Sequence, residues 1–397
     1  MRVDDLVPIQ ESCFVAPVCT ASTPSIAISG SSMHVTTPTT ITDLRFGPFD
    51  IPLIEPFAIA TGAQPVAQNV LVELRLADGT RGYGEAAPFP AVTGETQAST
   101  LAALGTLQAS LLGRDARQWR LLALELQAAD QKAAAARCAL ETAILDALTK
   151  HARIPLWAFF GGASTELETD MTITAGSIEH AAQSARAIAA RGISTIKIKI
   201  GGSPDLDLAR IEAIHAAVPA APLILDGNCG YDASGALELL EQLQAASIPI
   251  ALFEQPVMRH DLAGLAQVTR AGATPVAADE SVTTAEDALR IAQERAADVV
   301  NIKLMKAGIV EALSIVAICK AAGIGLMIGG MVEALLAMNT SAHFAAGLGG
   351  FSFVDLDTPM FMAEQPLRGG WVQTGGKLSI AHVTAGHGLE PTAPLLD

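Results

Sequence analysis

The chain is predicted to be an α/β protein in which a small N-terminal α+β domain precedes a closed parallel barrel. Three observations carry this expectation. Beyond about residue 165, short apolar strands alternate with Ala-rich helical segments such as SIEHAAQSARAIAARG. Landmarks near the strand ends, Thr174, Lys199, Asp226, Glu254, Asp279, Lys303, Gly329 and Asp355, lie 25, 27, 28, 25, 24, 26 and 26 residues apart, the period of a repeated β/α unit. Six of these eight landmarks are ionisable, whereas no GxGxxG or GxxxxGK[ST] opens a helix as an open nucleotide-binding sheet would require.

Taken in order, residues 1–40 are rich in Ser, Thr and Pro and lack a sustained apolar stretch, so they are expected to form a disordered tail. Met33 is an alternative start, and a targeting role for residues 1–32 is the weaker reading. From Ile41 to Glu85 the pattern is strand-like: ITDLRFGPFDIPL, a loop EPFAIATGAQPVAQ, then NVLVELRLADGTRGYGEA turning at Asp78-Gly79. Residues 94–150 have helical spacing and few breakers, completing an α+β domain over residues 41–160. The barrel follows over residues 161–358, and residues 359–397 form a C-terminal segment.

Composition restricts the function. The chain has 397 residues, 25 Lys+Arg against 41 Asp+Glu, a formal charge of -16 and no basic run, so neither nucleic acid nor an anionic membrane is an expected partner. The longest apolar run, AAGIGLMIGGMV, is too short to span a bilayer and carries four glycines. Five cysteines without CxxC or finger spacing suggest free thiols in a reducing, cytoplasmic setting. Small-molecule chemistry remains.

That chemistry is concentrated at the strand ends. Parallel strands buried on both faces read as continuous apolar runs, and barrel active sites lie at the C-terminal ends. In TIKIKIGG, alternation sends Lys197 and Lys199 into the barrel while Ile196, Ile198 and Ile200 face the helices. The next three strands end in inward-facing Asp226, Glu254 and Asp279, which repel one another unless a cation lies among them. Oxygen-only ligation suits Mg²⁺ better than Zn²⁺. Lys199 and Lys303 then face each other across the proposed metal, as removal of a proton from one face of a carbon and its return to the other would require. Lys197 adds a like charge that is expected to lower the pKa of Lys199.

With the KIK of the second strand, the DGN, FEQP and ADES strand ends and NIKLMKAG around Lys303, the sequence from about residue 41 onward resembles the enolase superfamily, and within it the muconate lactonizing enzyme-like group. The resemblance implies a modified TIM barrel of seven β/α pairs plus a final strand, with an α+β capping domain completed by the C-terminal segment. It implies Mg²⁺ on Asp226, Glu254 and Asp279, Lys199 and Lys303 as the acid/base pair, and a homo-oligomer.

The last strand, VDLDTP, places Asp355 and Asp357 on one face at the mouth, a clamp for a substrate ammonium. This DxD is similar to that of the dipeptide epimerases, which hold the free α-amino group with it and invert the C-terminal residue; N-acylamino acid racemases and o-succinylbenzoate synthases, the alternative reading, have no ammonium there. In the cap loop AIATGAQPVAQ, Gly62 stands where the resemblance to Ala-Glu epimerases expects an Arg, so an apolar or small second residue is favoured over an acidic one. Gly329-Gly330 is expected to be a tight turn that leaves room for substrate, and Glu280 and Glu333 either orient the site or are solvated. An aldolase-like Schiff-base lysine leaves the three carboxylates unexplained. An inactive scaffold leaves all five metal and base positions unexplained.

Overall fold

The computed structural model describes residues 36–59, 62–272 and 274–393, without the side chains of residues 55–63. The expected tail therefore lies outside the described residues except at its end. There Thr37 and Thr39 hydroxyls already bond to the Asp115 carboxylate, at 3.2 and 2.8 Å, within a compact unit beginning at Thr36.

Three antiparallel strands, β1 (Ile41–Ile59), β2 (Gly62–Leu76) and β3 (Arg81–Ala86), form the cap sheet in that order. The expected loop after Leu53 is instead mostly strand: β1 and β2 run on as a long hairpin to the Ile59/Gly62 pair, with one irregularity between Pro52 and Phe57. The prolines there lack a ladder donor, and the register shift at that point accommodates them. Helices α1 (Gln97–Leu111), α2 (Trp119–Ala129) and α3 (Ala134–Ala152) follow. The Ala-rich face of α3 lies directly on β3, because a Cβ at Gly82 or Gly84 would collide with the carbonyl oxygens of Ala143 and Ala139.

Eight strands then form one parallel sheet in chain order, with the short β4 (Glu166–Glu168) outside it. They are β5 (Met171–Ile173), β6 (Ile196–Lys199), β7 (Leu223–Asp226), β8 (Ile250–Glu254), β9 (Val276–Ala278), β10 (Val299–Ile302), β11 (Gly325–Ile328) and β12 (Phe351–Val354). Helical segments separate each strand from the next, so seven strand–helix pairs and a final strand result. Ile224, Leu252, Ala277, Val299 and Met327 make an apolar floor inside the barrel.

The seam between β5 and β12 is not a full ladder. One backbone bond crosses it, Asp170 N–H to the Val354 carbonyl at 2.9 Å. Two side chains do the rest: the Leu356 N–H donates to Thr169 Oγ1 at 2.9 Å, and the Thr172 N–H donates to Asp357 Oδ2 at 2.6 Å.

The cap is docked by buried carboxylates placed on barrel backbone donors. Glu85, at the end of β3, accepts from Ala334 N and Ala337 N at 2.7 and 3.0 Å, the first turn of the helix Leu335–Leu348. Glu141 of α3 accepts from Val310 N at 2.9 Å. The chain end also returns to the cap, where His387 N–H donates to Asp146 and the His387 ring meets the Tyr83 carbonyl, at 3.0 and 3.1 Å. Among the described residues no helix is long and apolar enough to cross a membrane.

Candidate active site

The inward parity of β6 to β10 brings every charged strand end into one buried cluster. Lys197, Asp226, Glu254 and Asp279 are fully buried, and Lys199 and Lys303 nearly so. Lys199 ends β6 and Lys303 follows β10, four strands apart in a sheet of eight, so the two approach from opposite sides.

Each acid is drawn to a lysine. Lys199 Nζ lies 2.7 Å from Asp226 Oδ2, and Lys303 Nζ 2.7 Å from Asp279 Oδ2. Lys197 does not act on Lys199 as an uncompensated like charge. Its Nζ is wrapped by Asp226, Glu254 and Asp355 at 2.9, 2.7 and 2.7 Å, and although burial disfavours its charge, those three acids outweigh burial and push its pKa well up. Burial likewise disfavours ionisation of Asp226 and Asp279, but the surrounding ammoniums hold both below the usual carboxylate range. Glu254 goes the other way. Burial, then the charge of Asp226, raises it to about 8.

Asn301, which DVVNIKL points inward beside Lys303, donates from Nδ2 to Glu254 Oε1 at 2.7 Å. Other residues that shape the site are not singled out by the sequence: Lys306 Nζ holds Asp279 Oδ1 at 2.6 Å. Gln255, directly after Glu254 and in a left-handed conformation (φ 32°), accepts from Asp279 N and Ser281 N through Oε1 at 2.9 and 3.1 Å, so it ties the ends of β8 and β9 together. Such a backbone costs about 1–3 kcal/mol in a non-glycine residue and persists where its surroundings impose it. The Gln of FEQP was the visible signal. Glu280 and Glu333, left open between orienting and solvated roles, are respectively half-buried and buried, and burial raises them to about 7 and about 8.

Above the cluster a cavity brings together Lys199, Lys303, Asp355 and Asp357 under Phe89 and Val92 of the cap. Gly330 borders it and Gly329 precedes it, neither with a positive φ, and their lack of side chains is steric: a Cβ at Gly329 would lie 2.8 Å from Asn301 Oδ1, and one at Gly330 would strike Met338. Asp355 is kept ionised because Lys197 and Lys199 outweigh its burial. Asp357 is raised to about 7 by burial and then by Asp355. Gly62 opens β2 opposite Ile59, and its surroundings lie outside the described side chains.

The donor chemistry fits a hard divalent cation. Three buried carboxylates on adjacent strands are all-oxygen ligands, and Glu254 is raised first by burial and then by the charge of Asp226, a repulsion that such an ion relieves. The carboxylates whose oxygens converge most tightly are nevertheless others: one oxygen from each of Asp170, Asp355 and Asp357 lies within 4.8 Å of the other two.

Residues 47–161 match the family described as mandelate racemase/muconate lactonizing enzyme, N-terminal domain, and residues 179–394 match the one described as enolase C-terminal domain-like. A protein of Herpetosiphon aurantiacus named as an aromatic dipeptide epimerase is 61% identical over 353 residues, covering 89% of this chain and 99% of that protein. A solved structure of a mandelate racemase/muconate lactonizing protein from the same organism superposes with a TM-score of 0.88 at 60% identity, over 90% of this chain and all of that one. A dipeptide epimerase from Enterococcus faecalis, solved with Mg and the dipeptide L-Leu-L-Tyr, gives a TM-score of 0.86 at 34% identity over 88% of this chain and 99% of its own. With both halves matched, and with a barrel of seven strand–helix pairs and a final strand behind an α+β cap, the chain belongs to the mandelate racemase/muconate lactonizing enzyme family of the enolase superfamily.

Proposed function

We propose that this chain is an Mg²⁺-dependent dipeptide epimerase that inverts the α-carbon of the C-terminal residue of an L,L-dipeptide. The observation that carries the reading is the placement of Lys199 and Lys303 on opposite sides of one cavity that also exposes Asp355 and Asp357. Names borne by relatives support it, including the aromatic dipeptide epimerase and the complex with Mg and a dipeptide.

In this reading Asp226, Glu254 and Asp279 would hold one Mg²⁺ per subunit, which would supply positive charge to the substrate carboxylate as its α-proton is lost. One lysine, as a neutral amine, takes the α-proton from one face. The other, as an ammonium, returns a proton to the opposite face, and the roles exchange for the reverse reaction. Asp355 and Asp357 receive the substrate's α-ammonium and so fix which carbon lies between the lysines. The charge-free loop around Gly62, together with Phe89, Val92 and Val332 lining the cavity, favours an apolar or small second residue. A cytoplasmic homo-oligomer is the expected form.

The test screens pools of L,L-dipeptides in D₂O for a gain of one mass unit, then compares the best substrate with its N-acetyl derivative. Loss of the ammonium leaves buried carboxylates unpaired at a cost of roughly 2–5 kcal/mol. That corresponds to about thirty- to several-thousandfold in kcat/KM. An N-acylated amino acid turned over faster than any free dipeptide would refute the dipeptide reading in favour of an N-acylamino acid racemase.

A further inference from the structure

Asp170 is a buried acid that the reaction outlined above does not use. It directly precedes β5, is 2% exposed, and neither of its carboxylate oxygens has a hydrogen-bond partner. Its backbone is pinned by the seam bond to Val354, and one of its oxygens converges with Asp355 and Asp357 to within 4.8 Å. The two neighbours are engaged: Asp355 with Lys197 at 2.7 Å, and Asp357 with the Thr172 N–H at 2.6 Å. They also border the cavity, whereas Asp170 stands behind them.

Charge in this cluster does not balance. Asp355 draws on Lys197, but that ammonium is divided further with Asp226 and Glu254, and Asp357 has only the Thr172 N–H. An unpaired buried acid is costly, and the substrate cavity lies directly beside Asp355 and Asp357. A primary ammonium presents three N–H donors, so both acids that border the cavity can accept from one such group.

We propose that Asp170 is a positioning residue that makes the Asp355/Asp357 pair a receptor for a cation, supplying from behind the surplus acidity that a bound primary ammonium relieves. This rests on the dipeptide reading and adds a determinant of its preference for a free amino terminus. Burial, and then the charges of Asp355 and Asp357, push the Asp170 carboxyl well above its usual range despite Lys197, and a further cation at the pair would oppose that rise.

The experiment measures kcat and KM for a free dipeptide and its N-acetyl derivative with wild type, Asp170→Asn and Asp170→Ala, alongside urea midpoints. An opposite charge within 4–6 Å shifts an ionisation by about one to three units. The expected result is therefore a rise of about tenfold to a thousandfold in KM for the free dipeptide in both variants, with kcat within a few fold and the N-acetyl substrate little changed. Asp170→Asn keeps the side-chain shape and removes an unpaired acid, so its urea midpoint should be no lower. A purely structural role would move both substrates together, and that outcome overturns the proposal. So does a wild-type preference for the free amine that survives in both variants, or one lost in the Asn variant and kept in the Ala variant, which would trace the effect to the new amide. A wild-type enzyme with no preference for the free amine overturns the dipeptide reading as well.

Discussion

Replacing Lys303 by Ala should separate proton removal from inversion. Lys303 Nζ lies 2.7 Å from Asp279 Oδ2, while Lys306 holds the other oxygen at 2.6 Å. Deleting one partner of a buried ion pair costs about 3–5 kcal/mol when the survivor is left alone. Asp279 keeps Lys306, so the loss should fall at or below about 3 kcal/mol and the variant should remain folded. Catalysis suffers more: a positioned acid or base contributes about 10²–10⁴-fold, or roughly 2.7–5.4 kcal/mol of barrier. Lys199 survives on the other side. The variant should therefore still exchange the α-proton of whichever epimer presents its C–H to Lys199, without inverting it, and Lys199→Ala should show the opposite epimer preference. Proton NMR in D₂O on each pure epimer, with chiral chromatography of the same samples, reads both events. Interconversion by Lys303→Ala within tenfold of wild type, or equal exchange of both epimers, would refute the two-base arrangement.

Mg²⁺ should raise the melting temperature, with a gain of about 2.7 kcal/mol at a hundredfold excess over its dissociation constant. Asp226→Asn, Glu254→Gln or Asp279→Asn should suppress it, and a wild-type melting curve unmoved by saturating Mg²⁺ would count against the site. Stability should also fall as pH rises. Burial lifts Glu333 from 4.5 to about 8, so between those values the folded chain holds a proton that the unfolded chain has released. The contribution is complete below about 4.5, is lost as pH passes about 8, and is of the order of a few kcal/mol at about 1.4 per unit. Glu333→Gln should flatten this limb in urea midpoints taken from pH 5 to 9; an unchanged slope would show that other groups cause it.

Strand parity and the regular spacing of strand ends were legible because a buried parallel strand alternates by two and each β/α unit has nearly constant length. That is why Lys197, Lys199, Asp226 and Glu254 could be aimed inward from sequence. Contacts across the barrel were not legible. Lys197 on β6 reaches Asp355, which follows β12, a meeting set by how the sheet closes rather than by any local pattern. Asp170 was hidden for the same reason: in ETDMTIT it reads as a strand start, and only the seam reveals its neighbours. The far end of the β1–β2 hairpin, EPFAIATGAQPVAQ, reads as a loop because prolines and small residues obscure the alternation, although backbone pairing continues through most of it.

The seam gives Asp357 a second occupation that restricts how such an enzyme could change its diet. A lineage abandoning substrates with a cationic end could vary Asp355, which mainly answers to Lys197. At position 357 the same drift removes the acceptor of the Thr172 N–H, and a buried donor left without a partner costs about 1–3 kcal/mol. Asparagine retains an acceptor there, and an apolar residue does not. Mutational paths to a new specificity through that site should therefore pass by Asn, or wait until another group has taken over one backbone proton.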